Sequence, residues 1–166
     1  GPDVEGFDRI DRQADFQRLL AAPPQTPRSG MTGETVFETI GCGACHLTSG
    51  YTTGSGALGV LDGHAIKPYS DFLLHDMGML GDGIADGPAT EQIMHTRALW
   101  GVGQRESLLH DGRATGGTFF DNVALAIADH DGEAAFSRTN WNNLDLTSKN
   151  QLVAFLGSLG RAEFDW

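Results

Sequence analysis

Both cysteines of this 166-residue chain fall within five positions, Cys42-Gly43-Ala44-Cys45-His46, and no other feature narrows its architecture as far. C-x-x-C-H is the pattern through which a porphyrin is attached covalently. Two thiols on one short turn reach the two vinyl groups of a single macrocycle. The next residue, His46, then lies under the iron and supplies an imidazole nitrogen. Small residues at Gly43 and Ala44 let the backbone approach the ring closely. Other readings of the pentapeptide fare worse. A zinc site needs more ligands, and no second cysteine pair exists. A thioredoxin-like pair needs a preceding strand and a βαβ context. Here Thr32–Ile40 precedes it, with Val36, Phe37 and Ile40 on one helical face. A plain disulfide leaves His46 without a role. The expectation is one haem c, covalent through Cys42 and Cys45, with His46 as an iron ligand.

The rest of the chain reads as mostly α, with long Gly-rich loops; glycine numbers 23. Residues 1–30 read as an N-terminal arm, a short helix over Asp8–Leu20 followed by a Pro-rich linker through Pro23, Pro24 and Pro27. Residues 31–166 then form the haem domain. A helix over about 32–41 delivers the motif. Residues 47–68 read as a loop, and a helix or turn is expected near 90–95. Thr118 reads as an N-cap, with Asp121 in the capping-box position, for a helix ending near Asp129. A last helix starts near Thr147, carries Leu152, Val153, Phe155, Leu156 and Leu159, and stops at Gly160. No strand alternation stands out.

Charge excludes some partners. Eleven Lys and Arg face 22 Asp and Glu, a net charge of −11. Nucleic acid needs a basic face, and an anionic membrane surface is disfavoured equally. No apolar run approaches the length of a membrane span. The polar start at Gly1-Pro2-Asp3 reads as a mature or trimmed product. Covalent haem attachment leads to the expectation of a periplasmic or extracellular location.

A haem held by one histidine is open on its far face or closed by a second ligand; closure favours electron transfer and openness favours small-molecule chemistry. The candidates are His64, His75, His95, His110 and His130, with Met31, Met77, Met79 and Met94. His64 follows the motif too soon. His110, in Leu108-Leu109-His110-Asp111-Gly112, reads as a turn residue beside the haem edge. His130 follows an apolar helix, and the neighbouring Asp129 and Asp131 favour a basic, oriented imidazole. Met77, beside Gly78, could offer a thioether. On the residues alone His130 and Met77 are close rivals.

Several stretches carry a family resemblance. They are Asp15–Pro24, Ile40–His46, Lys67–Gly78, Arg97–Gly103, Leu109–Ala114 and His130–Ala134. In this order they resemble the C-terminal haem domain of the di-haem cytochrome c peroxidase-like family, in the branch described as di-haem thiol oxidoreductases. The resemblance implies a cytochrome c-like haem domain. It moves His130 ahead of Met77 as sixth ligand, puts Arg97 at a propionate or core edge, and sets Trp100 and His110 in the cofactor's surroundings. Two departures stand out: a longer connection through Gly116-Gly117-Thr118-Phe119-Phe120, and one C-x-x-C-H motif where a di-haem enzyme has two.

The expected function is that of a mono-haem c-type cytochrome carrying single electrons, its iron six-coordinate, low-spin and bis-His. A redox partner with a basic face would complement the acidic surface, and residues 1–30 could dock a partner or a second copy. The alternative is a peroxidase-like or thiol-oxidising haem enzyme, or the electron-transfer half of one. It needs a displaceable sixth ligand and an acid/base group, for which His75, Asp76, His110 and Asp111 are the candidates.

Overall fold

Helices form most of the regular structure, and the spacing of their apolar residues decides which faces they bury. The computed structural model describes residues 4, 6, 8–23, 31–54 and 59–160. Residues 24–30 of the expected arm lie outside that set. Helix α1 (Arg9–Arg18) is capped by Asp8, whose side chain accepts from the backbone N–H groups of Ile10 and Asp11, and it buries no residue. Helix α2 (Thr32–Thr39) ends at Ile40; Phe37 and Ile40 are each only 2% exposed. Gly41 follows with φ 96°, a conformation that costs glycine little. It turns the chain from α2 directly into a 3-10 turn, Cys42–Ala44.

Helix α3 (Phe119–Asp129) opens on the expected capping box between Thr118 and Asp121. Helix α5 (Leu146–Ser158) starts at Asp145, whose carboxylate accepts from the Ser148 N–H at 2.8 Å. Its residues Leu152, Phe155, Leu156 and Leu159 are buried at i, i+3, i+4 and i+7, the stripe of a core-facing helix. Phe155 is fully buried, its ring 5.4 Å from Phe37 and 5.6 Å from Tyr69. These three aromatics join α2, α5 and the loop at Pro68–Ser70 into one core directly behind the cysteine turn.

Two sequence expectations need correction. Helix α4 (Ala135–Asn143) was not foreseen, because Ala-Phe-Ser-Arg-Thr-Asn-Trp-Asn-Asn has no apolar period and its only buried residue is Trp141. That indole anchors the helix between Phe120, 6.2 Å away, and the Lys149 ammonium, 5.4 Å from its ring. Strands are present as well. Three antiparallel pairs occur among the described residues: β1 (Tyr51–Thr52) with β2 (Ala65–Ile66), β3 (Leu74–Asp76) with β4 (Ile93–His95), and β5 (Ser107–Leu108) with β6 (Ala114–Thr115). Residues 93–95, expected in a helix or turn, are thus a strand. Pieces of two or three residues are too short to show an alternation. No helix among the described residues is long and apolar enough to cross a membrane.

Candidate haem site

The cysteine turn presents His46 against the core. The His46 N–H donates to the Cys42 carbonyl at 2.9 Å, and its ring centroid lies 6.3 Å from that of Phe37. Its Nδ1 is 2.8 Å from the Tyr69 carbonyl oxygen. A carbonyl can only accept, so Nδ1 carries the proton and donates. Burial pushes the imidazole down to about 4, against the pull of the Tyr69 carbonyl and with further help from the charge of His130. The ring is therefore neutral near pH 7, with a bare lone pair on Nε2.

The accepting carbonyl belongs to a residue under strain. Tyr69 is 3% exposed and has φ 53°, rare for a bulky side chain. Its loop is tied down along its length. The Trp100 indole N–H donates to the Lys67 carbonyl at 2.7 Å, and the Leu99 N–H to the Pro68 carbonyl at 2.9 Å. The buried Ser70 hydroxyl donates to the Thr96 carbonyl at 2.9 Å and accepts from the Phe72 N–H at 2.9 Å. The Asp71 N–H donates to the Cys45 carbonyl at 2.8 Å, joining the loop to the turn itself.

His130 is held in a similar way by a different element. It caps the C-terminus of α3, and its Nδ1 donates to the Ala126 carbonyl at 2.7 Å. Burial again lowers the imidazole below its ordinary value. The two histidines, 84 positions apart in sequence, lie near enough for the charge of one to act on the other. Neither Nε2 has a hydrogen-bond partner among the described residues. Two neutral imidazoles, each oriented through Nδ1 with Nε2 free, have the donor chemistry that a haem iron takes. The residues present fit a haem.

The thiols lack the character of a redox-active pair. Cys42 and Cys45 are both free. Burial pushes the Cys42 thiol up to about 12, and burial followed by the charges of Asp71 and Glu133 raises Cys45. A redox-active pair needs its thiol lowered. Ligand atoms of Cys45, Asp71 and His75 come within 4.8 Å of one another. However, both His75 nitrogens face carboxylates, Asp71 at 2.8 Å and Glu133 at 2.9 Å, which calls for a proton on each and leaves no lone pair for a metal.

The structure brings Cys42, Cys45, His46 and His130 to one region, while the other expected residues stand differently. Trp100 is half-buried and commits its N–H to the loop below His46. Arg97 is exposed. His110 is exposed in the turn between β5 and β6; from that turn Arg113 reaches Asp111 at 2.5 Å and Asp129, beside His130, at 3.8 Å. Met77 begins the 3-10 turn Gly78–Leu80, which packs against the turn after His130. Sequence reasoning missed Tyr69 and Ser70. The stretch Lys67–Asp71 stands out as a motif, but a side-chain name says nothing about a carbonyl that orients a ligand.

No curated protein and no solved structure matches the chain. The family model described as "di-haem oxidoreductase, putative peroxidase" matches residues 16–159, an interval that contains the cysteine turn, the strained loop and both half-buried histidines. With most of its length inside that match, the chain belongs to the di-haem oxidoreductase family.

Proposed function

We propose that this chain is a c-type cytochrome domain that carries single electrons on one haem, joined to Cys42 and Cys45 and ligated by His46 and His130. The observation that carries the reading is the pair of neutral imidazoles, each tied through Nδ1 to a backbone carbonyl at 2.8 and 2.7 Å. The haem supplies the redox chemistry when bound, its iron passing between ferric and ferrous. The Tyr69 and Ala126 carbonyls fix ring orientation and tautomer, and they raise the basicity of each Nε2. Phe37, Tyr69 and Phe155 keep the His46 side dry. Imidazoles held rigidly by the Tyr69 and Ala126 carbonyls would move little when the group changes oxidation state, which would lower the reorganisation that electron transfer requires.

The net charge of −11 steers the domain to a redox partner with a basic face, and the association weakens as salt rises. Helix α1 supports the docking role of residues 1–30, since Ile10 and Phe16 are 76% and 65% exposed. Covalent loading of the thiols places the protein in the periplasm or outside the cell.

The test is the absorption spectrum of the haem-loaded protein in both oxidation states. The expected form is low-spin and six-coordinate. His130→Ala should convert it to high-spin, whereas Met77→Ala should leave it unchanged. A low-spin spectrum surviving in His130→Ala overturns the ligand assignment. The family description favours a second reading, a peroxidase-like enzyme. Steady turnover of hydrogen peroxide with an electron donor by this chain alone would establish that reading and displace electron carriage.

A further inference from the structure

Between the two ligand-bearing turns lies a chain of contacts that the ligand assignment does not use. Asp71 is bonded to the Cys45 carbonyl through its N–H, at 2.8 Å. Its carboxylate meets His75 Nε2 at 2.8 Å, and His75 Nδ1 meets Glu133 at 2.9 Å. The second Glu133 oxygen accepts from the Asp76 N–H at 3.0 Å. Glu133 lies in the 3-10 turn Gly132–Ala134, three residues beyond His130. The backbones here are in close contact. Gly132 has φ 54°, and a Cβ on it would lie 2.3 Å from the Asp76 carbonyl oxygen. The path therefore runs from Cys45 through Asp71, His75 and Glu133 to the turn that follows His130.

We propose that His75 is a positioning residue, gripped between Asp71 and Glu133, that fixes the separation of His46 and His130. The proposal rests on the bis-histidine reading above. An imidazolium donating to two carboxylates makes two charge-assisted bonds in fixed directions. Its ring adds a side-chain link from the Asp71 loop to the turn after His130, beside the backbone contact of Gly132 with Asp76; the Tyr69 carbonyl orients His46 from one side, and Ala126 orients His130 from the other. Nothing in those two bonds sets the distance across. His75, with its side chain 16% exposed, supplies that link.

The test uses the haem-loaded protein with His75→Phe and Glu133→Gln. The first keeps a ring and deletes both bonds; the second keeps shape and removes the charge. The readouts are the high-spin fraction of the ferric protein and the rate at which cyanide binds the iron. Glu133→Gln, which weakens one charge-assisted bond, should raise the cyanide rate about tenfold, and His75→Phe, which deletes two, should raise it further; each should produce a high-spin component. Val153→Ala, a core substitution away from this path, is the control for general loosening. Glu133 is exposed, so its variant carries the test if His75→Phe does not fold. Wild-type cyanide rates in Glu133→Gln, or an equal increase in Val153→Ala, overturn the proposal. The His130→Ala spectrum separates the two ideas. If it turns high-spin while the cyanide rates stay unchanged, only the positioning role falls; if it stays low-spin, the ligand reading falls and takes the positioning role with it.

Discussion

His46 and His130 end in the same chemical state by different routes. His130 takes its orienting bond from Ala126, four residues earlier in its own helix. His46 takes it from Tyr69, 23 residues away, in a loop that runs through a strained φ. His130 is thus oriented by local helical geometry, through a bond inside the last turn of α3. His46 depends on long-range packing, because the Tyr69 carbonyl that orients it lies in a loop docked on α5 through Phe155. The two sides should fail differently when disturbed.

The largest expected effect is on the shared core. Phe155 is fully buried and touches both Phe37 and Tyr69. Phe155→Ala should cost about 3–5 kcal/mol of stability, from lost burial and the cavity left behind, read by urea unfolding of the haem-loaded protein. The His46 side should loosen first, since all three rings lie there. Faster hydrogen exchange at residues 126–130 than at residues 67–71 would break the comparison.

Smaller changes separate the sides. Ser70→Ala leaves the Thr96 carbonyl and the Phe72 N–H without their partner in a buried place, at a cost of about 1–3 kcal/mol. Thr118→Ala removes the cap of α3, at a cost of about 1 kcal/mol. The first should speed exchange in the loop and the second at the start of α3, each leaving the other region near wild type. Equal effects in both regions would mean that the two histidines share one support.

The same contrast explains how much was legible in the sequence. The cysteine turn, the Thr118–Asp121 cap and the apolar stripe of α5 follow local rules of spacing and capping, so the residues announce them. His130 at a helix end belongs to that class. Tyr69 does not, since its contribution is a carbonyl in an unusual backbone conformation, set by Ser70, Trp100 and Asp71 from three directions. Helix α4 escaped for a related reason: one tryptophan holds it, and one buried residue makes no period. The short strands pair only two or three residues each, too few for an alternation to show.

The smallest expected effect concerns pH, and its sign tells the clamp from the ligands. The bond from Glu133 raises His75 above its ordinary value of 6.5, so its stabilisation is complete below 6.5 and is lost as pH rises through the higher folded value. The carboxyls behave oppositely. His75 holds Glu133 below its ordinary 4.5. Burial would raise Asp71, but the Leu73 N–H and His75 together bring it below its ordinary 3.8. Their contributions are present above those values and are lost as pH falls through the lower folded ones. His46 and His130 act in reverse to His75, because burial lowers both imidazoles; each contributes fully above 6.5 and less as pH falls below it, His46 down to about 4. In wild type these trends partly cancel. The difference between wild type and His75→Phe reports chiefly the clamp, with a smaller part from His46, whose imidazole the charge of His75 also lowers. The wild-type advantage in urea unfolding should be flat between about pH 4.5 and 6.5 and should shrink on both sides. An advantage that grew steadily above pH 6.5 would mean that His75 is neutral in the folded protein, with one of its two carboxylates facing a lone pair.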